Sequence, residues 1–288
     1  MASDTVKKEK KATNEPIKTD STKNMKTKPD TTPKGSKGTK MQDKILFITG
    51  ADSGIGKACA LLFAYQGADV AIVYLDEDDD ANETKKQIEE YGRKCLLIRG
   101  DLRKEDFCKQ AVDKAVKEFG RIDVLINNAG TQVEENSLED ITTENMIKTF
   151  ETNIFSMFWI TKAALPHMKK GSAIVNTTSV TAYRGNPKLI DYSATKGAIV
   201  TFTRSLSDNL VSKGIRVNAV APGPIWTPLI TASEPDKTMS QHGAGTPMQR
   251  AGQPSEVAPS YLFLACNDDS SYISGQVLHP NGGEVVNG

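Results

Sequence analysis

The segment Ile45-Leu46-Phe47-Ile48-Thr49-Gly50-Ala51-Asp52-Ser53-Gly54-Ile55-Gly56 decides how the rest of the chain is read. A short apolar run of strand type passes through a glycine-rich turn directly into a helical pattern. Gly50 permits the tight turn, Gly54 lets an anionic group approach the backbone, and Gly56 lets helix pack on strand. The helix N-terminus behind them offers N–H donors and partial positive charge. Asp52, Ser53 and Ile55 complete the turn. A plain strand-to-helix connection would also use glycine, so it is the position at the head of a strand–helix–strand unit that favours a dinucleotide diphosphate here.

Working outward, the chain from Met41 onward alternates short β-branched runs with longer helical patterns, the signature of a parallel sheet covered on both faces. Strands are expected near 45–49, 70–74, 95–99, 124–126, 173–178, 215–221 and 276–278. Helices are expected near 54–66, 79–91, 104–119, 143–165, 191–213 and 255–265. No internal repeat or second linker interrupts this alternation, so 41–288 is expected to form one domain.

Composition narrows the class. The chain has 288 residues, of which 38% are hydrophobic, enough for a sizeable core. Residues 1–40 carry 11 lysines against five acids, a net charge of +6, and contain no Leu, Phe, Tyr or Trp. Such a segment buries too little apolar area to offset ordering entropy, and a disordered basic tail is expected. A polycation touching nucleic acid or a membrane surface is the alternative, diluted by the tail's own acids. The remainder carries −6, which argues against a nucleic-acid footprint on the folded part. Cys59, Cys95, Cys108 and Cys266 show no paired spacing and read as free thiols of a reducing, cytoplasmic compartment. His167, His242 and His279 are scattered, so no metal site is expected. No apolar run approaches the roughly 20 residues needed to span a membrane.

The second strand ends in Tyr74-Leu75-Asp76-Glu77-Asp78-Asp79-Asp80, where an adenosine ribose would lie. Tyr74 and Asp76 are candidate ribose contacts. Neither Ser53 nor Leu75 supplies the base that a 2′-phosphate wants, and the acids repel it, so NAD(H) is favoured with NADP(H) possible. The same acids could simply decorate the start of the next helix. Asp101-Leu102 and Asn127-Asn128-Ala129-Gly130 follow the third and fourth strands at the carboxyl edge, where open α/β sheets bind ligands. Asn153 falls in a largely apolar helix, where an amide needs partners. It is expected to bond a water or bend the helix.

Ala173–Ser179 is a buried strand ending in hydroxyls. Ser179 has no histidine or acid placed to form a hydrolase triad and reads as a hydrogen-bond donor. A loop, 180–190, can bring it to Tyr192. In Asp191-Tyr192-Ser193-Ala194-Thr195-Lys196 a phenol and an ammonium stand four positions apart on one helical stripe, so Lys196 is expected to lower the Tyr192 pKa and fit it for acid–base work. Arg184 and Lys188, in the loop, could attract an anionic substrate. Residues 227–250 are irregular and read as a mobile lid.

Taken together, the glycine turn at 49–56, Asn127-Asn128-Ala129-Gly130, Asn153, Ser179, Tyr192-Ser193-Ala194-Thr195-Lys196 and Pro222-Gly223-Pro224-Ile225-Trp226-Thr227, in that order, resemble the short-chain dehydrogenase/reductase family over 41–288. The resemblance implies a single Rossmann-like, doubly wound α/β domain with a seven-stranded parallel sheet ordered 3-2-1-4-5-6-7. It implies a catalytic set of Asn153, Ser179, Tyr192 and Lys196. Tyr192 would exchange a proton with the substrate oxygen and Ser179 would polarise that oxygen. Lys196 would hold the nicotinamide ribose and Asn153 would anchor a relay water. Pro222, Gly223 and Ile225 would shape the nicotinamide pocket and Thr227 would bond the carboxamide. The activity implied is interconversion of alcohol and carbonyl on a small molecule. A silent dinucleotide-binding regulator is the alternative. A homotetramer is implied too, through helices around 150–160 and 199–210.

Overall fold

The computed structural model describes residues 21, 22, 25, 27–233 and 242–286. Its strands are β1 (Ile45–Thr49), β2 (Asp69–Tyr74), β3 (Cys95–Arg99), β4 (Val124–Asn127), β5 (Ala173–Thr177), β6 (Arg216–Val220) and β7 (Val277–Leu278). All pair in parallel in the order β3-β2-β1-β4-β5-β6-β7. The strand order reverses between β1 and β4, so a crevice opens beyond their carboxyl ends, and the glycine turn lies at its head.

Strands β1, β4, β5 and β6 are buried at every position. The reason is that successive side chains point to opposite faces and both faces are covered. Leu46, Ile48, Val70, Ile72 and Ile126 face α1 (Gly54–Tyr65), α2 (Asp78–Glu90) and α9 (Pro254–Ala265). Phe47, Ala71, Val73, Leu125 and Ile174 face α3 (Glu105–Phe119), α5 (Ser156–Ala164) and α7 (Ile190–Leu210).

Three segments differ from expectation. The single helix expected over 143–165 is α4 (Thr143–Phe150), a π-helical turn Glu151–Phe155, then α5 and a short 3-10 turn. Within the π turn, Asn153 is fully buried and spends its amide on the loop after β4: Nδ2 donates to Thr131 O (2.9 Å) and Oδ1 accepts from Thr131 N (2.7 Å). The wide turn presents that side chain sideways, a distortion common at functional sites. The loop expected at 180–190 contains a one-turn helix, α6 (Thr181–Arg184). Past Thr227 the chain is helical over α8 (Pro228–Ser233) rather than irregular. The rest of the expected lid, at 234–241, lies outside the described residues.

The largest correction concerns the N-terminal segment. Residues 1–20, expected to be disordered, lie outside the described residues. Among the described residues from 21 to 40, several make defined contacts with the rest of the chain, where composition predicts a solvated tail. Met25 is buried, Trp226 Nε1 donates to Thr27 O (2.9 Å), and Ser255 donates from both its N and its Oγ to Asp30 (2.9 Å each). Further on, Gln66 Nε2 donates to Ser36 O (3.1 Å) and Lys40 pairs with Asp269 (2.5 Å). Hydrogen bonds to charged and backbone groups hold what apolar area does not.

The glycine turn is steric as well as electrostatic. A Cβ at Gly56 would stand 1.9 Å from Gly50 O. Gly56→Ala is expected to destabilise the fold by at least about 2 kcal/mol, with the melting temperature falling by about 5 °C or more in calorimetry. A Cβ at Gly197, in α7, would meet nothing within 4 Å. Gly197→Ala is the control and should be neutral or slightly stabilising.

Candidate active site

At the head of the crevice, Ser53 takes the N-cap position of α1, but its side chain makes no capping bond, and the helix's first turn contains no acid. Its N-terminal donors are therefore available to an anion. Gly54 adopts φ +53°, and a Cβ there would meet Thr227 Cγ2 at 3.3 Å. The glycine turn and the residue expected at the carboxamide thus share one wall. These features fit a dinucleotide diphosphate.

At the turn after β2, where an adenosine ribose is expected, the acids are partly spoken for. Tyr74 Oη donates to Asp78 Oδ1 (2.8 Å), and Arg99 Nη1 donates to Asp78 Oδ2 (2.9 Å). Arg99 is a base that sequence reasoning misses. It stands opposite Tyr74 in the β2–β3 register, and only that register brings it to the turn. Burial, with the Asp78 bond and charge, pushes the Tyr74 phenol up to about 12. Asp76 is raised by burial and by Glu77, with Arg99 opposing. Asp101 grips Arg103 with both oxygens (2.7–3.0 Å). Burial opposes its charge, but those bonds prevail and its carboxyl lies below the usual range. Leu102 is buried in the α3 side of the core.

Asn127, expected at the cofactor, has its amide turned into the interior, where Nδ2 donates to Asn176 Oδ1 (2.9 Å) and Thr161 Oγ1 (3.2 Å). Its neighbour Asn128 reaches the glycine turn instead, donating to Gly50 O (2.8 Å). Ala129 stands beside Gly50, and Gly130 lies between two polar groups. A Cβ on Gly130 would be 3.4 Å from Asn153 Oδ1 and 3.5 Å from Lys196 Nζ. On the far side, Pro222 O accepts from Val180 N (3.1 Å) and Gly223 N donates to Pro280 O (3.1 Å), while Ile225 and Thr227 are buried beneath the turn.

Ser179, Tyr192 and Lys196 converge, and each is less than 9% exposed. Ser179 Oγ accepts from Thr181 N (3.2 Å) and Thr181 Oγ1 (3.1 Å), which occupies its lone pairs and leaves its own proton to donate; the hydroxyl lies near enough to Tyr192 to act on its pKa. Sequence reasoning misses Thr181, although a hydroxyl two positions after a serine is a recognisable turn signal. Lys196 Nζ donates to Thr177 O (3.0 Å) and lies 5.3 Å from the centroid of the Tyr192 ring. Asn153 joins from behind, donating to Thr195 Oγ1 (3.1 Å).

The helical spacing places phenol and ammonium together, but the expected depression of the Tyr192 pKa is not what the geometry produces. Burial dominates, pushing Tyr192 up to about 12 against the smaller effect of Ser179. The same burial pushes Lys196 down to about 7. Desolvation of both charged forms outweighs their mutual attraction. Arg184 and Lys188, the loop bases considered for an anionic substrate, lie beside Glu284 (3.0 Å) and Glu134 (3.7 Å).

Known proteins resemble this chain in sequence and fold. The family model described as Enoyl-(Acyl carrier protein) reductase matches residues 50–284. The chain is 60% identical to the uncharacterized oxidoreductase YhxC of Bacillus subtilis (strain 168), over 88% of this chain and 89% of that protein. It is 55% identical to NADPH-dependent aldehyde reductase 1, chloroplastic, of Arabidopsis thaliana, over 86% of this chain and 88% of the other. A short-chain dehydrogenase from Burkholderia cenocepacia J2315, solved in complex with NADP, superposes with a TM-score of 0.79 at 31% identity, over 85% of this chain and 98% of the other.

The buried ammonium makes stability depend on pH. Lys196 ordinarily titrates at 10.5 and in the fold at about 7, so the folded state binds fewer protons between those values. Stability should therefore climb as pH rises from about 7. In urea titrations from pH 7 to 8.5, Lys196→Met should flatten that climb relative to the parent protein.

Proposed function

Since the chain belongs to the short-chain dehydrogenase/reductase family and is thereby an NAD(P)-dependent oxidoreductase of CH–OH groups, we propose that Tyr192 exchanges the proton with the oxygen of a small alcohol or carbonyl substrate. The observation that carries this is the pairing of Tyr192 with a Ser179 whose lone pairs are already filled by Thr181, so that both hydroxyls can donate to one oxygen. The bound nicotinamide supplies or accepts the hydride. Ser179 polarises and positions the substrate oxygen. Tyr192, held protonated by burial, gives its proton to the alkoxide that forms at that oxygen, a downhill transfer that suits reduction at neutral pH. Lys196 would hold the nicotinamide ribose, steady the developing phenolate and pass it a proton. Asn153, across the gap left by Gly130, would anchor a water that returns a proton from solvent to Lys196.

Diphosphate oxygens would meet the N-terminal donors of α1, and Thr227 the carboxamide. Asp76 as acceptor for a ribose 2′-hydroxyl puts NAD(H) first. The margin is small, because Arg99 offsets the acids and the Arabidopsis relative is named as NADPH-dependent. Arg184 and Lys188 both face acids, which favours an uncharged substrate such as an aldehyde or a sugar. The four cysteines, all buried and free, favour a reducing, cytoplasmic setting. Among the described residues no helix is long and apolar enough to cross a membrane.

Titration with NADH and NADPH, followed by turnover assays on aldehydes, ketones and sugars, tests the reading. Both dinucleotides should bind, with NADH ahead by less than about tenfold, a difference under about 1.4 kcal/mol. Tyr192→Phe should keep that binding and lose about 10²–10⁴-fold in kcat. Undiminished turnover in Tyr192→Phe would sink the assignment. Dinucleotide binding without turnover on any substrate would favour a silent regulator.

Self-association is proposed on the outer faces of α5 and α7. Phe158 is 52% exposed and packs at a tilt against Phe202 (4.4 Å between centroids) at a groove that also includes Ile154, Ala198 and Leu206. A second copy covering this groove, repeated to a homotetramer, would remove that apolar area from water. Sedimentation of Phe158→Glu should show a smaller species than the parent.

A further inference from the structure

The N-terminal strap touches both flanks of the glycine turn. On one flank, the Asp80 carboxylate, only 3% exposed, accepts from Thr22 N (2.9 Å), Thr22 Oγ1 (2.5 Å) and Ser21 Oγ (3.2 Å). Asp80 belongs to the first turn of α2. One turn along, Thr84 Oγ1 donates to Asp52 O (3.1 Å), inside the glycine turn itself. On the other flank, Thr27 O accepts from Trp226 Nε1 (2.9 Å). Trp226 directly precedes Thr227, whose methyl is the nearest neighbour of a Cβ placed on Gly54 (3.3 Å). Thr22 and Thr27 are five residues apart, and a chain of that length reaches at most ~17 Å, so the two flanks are tied at a bounded separation. Asp30 then fixes the strap to the start of α9 through Ser255 and Gln253.

We propose that this strap is a retaining element for the dinucleotide, in which Thr22 and Thr27 act as positioning residues through Asp80 and Trp226. The proposal rests on the dinucleotide reading given above. Apart from Met25, residues 21–30 include no large apolar residue, and the described ones among them dock through polar bonds, so this docking responds to whatever holds the two flanks. A dinucleotide whose diphosphate meets the glycine turn and whose carboxamide meets Thr227 grips both. By linkage, a ligand that favours the docked strap is favoured by it to the same degree, and couplings of this kind run about 5- to 150-fold. The strap touches neither Tyr192 nor Ser179 in any bond described, so its effect falls on retention and not on proton transfer.

Four proteins test this: the full chain, a chain lacking residues 2–28, Trp226→Phe in the full chain, and Trp226→Phe in the truncated chain. NADH and NADPH dissociation constants and off-rates are read by nicotinamide fluorescence, alongside KM, kcat and melting temperature. Truncation should weaken both dinucleotides about tenfold, chiefly through off-rate, raising the cofactor KM without lowering kcat. Trp226→Phe, which keeps a ring but loses the N–H, should weaken binding in the full chain and add nothing in the truncated one. An unchanged dissociation constant on truncation overturns the proposal, even if the melting temperature falls, because the strap would then be a structural belt. Equal effects of Trp226→Phe in both backgrounds also overturn it. If the full chain binds neither dinucleotide, the functional reading falls and this inference with it; binding by the full chain that truncation leaves unaltered defeats this inference alone.

Discussion

One amide holds the carboxyl edge together. Asn128 Nδ2 donates to Thr49 O (3.2 Å) and Gly50 O (2.8 Å), and its Oδ1 accepts from Thr177 Oγ1 (3.2 Å). Its backbone N in turn donates to Thr49 Oγ1 (3.0 Å). The ends of β1, β4 and β5 are thereby joined at a place where a sheet must stop pairing and still satisfy its buried backbone groups. Thr177 passes the connection on: its O takes the Lys196 ammonium, and its hydroxyl meets Tyr261 Oη of α9 at 2.8 Å. The position of Lys196 therefore depends on a side chain that takes no part in the proposed chemistry.

The same demand for partners organises the interior behind the site. Asn127, Asn176 and Thr203 form a buried chain of bonds linking β4, β5 and α7. Polar groups so placed are costly unless each finds a partner, and here the partners sit on different elements, which fixes how those elements meet. Tyr192 and Lys196 lie next to this network with their charged forms desolvated. Their protonation is set by burial before any neighbouring charge is considered.

The parallel sheet, the glycine turn and the nearness of Tyr192 to Lys196 are legible in the sequence, because each rests on a local pattern: strand–helix alternation, glycine spacing and a one-turn separation. The strand order and the full catalytic set come from the family resemblance instead. What is not legible depends on register or on long-range hydrogen bonds. Arg99 reaches the turn after β2 only through the pairing of β3 with β2. Asn127 and Asn128 are adjacent and chemically identical, and only the fold decides which faces the turn. The segment from Ser21 to Lys40 misleads because composition weighs apolar area and is blind to an acid such as Asp80 waiting for donors. The Tyr192 pKa misleads in the same way, since spacing reports proximity of charge and not loss of water.

The π-helical turn at Glu151–Phe155 has a consequence for insertions and deletions. Each residue of an α-helix advances about 100° around its axis, and the wider turn absorbs one residue out of phase. Removing one residue there would restore a regular helix and leave the helices on either side close to their present phase, since the wide turn is what absorbs the extra residue. The Phe158–Phe202 contact would survive such a deletion, while the sideways hold of Asn153 on Thr131 would be lost. A one-residue deletion here is thus a change that separates the site from the outer groove.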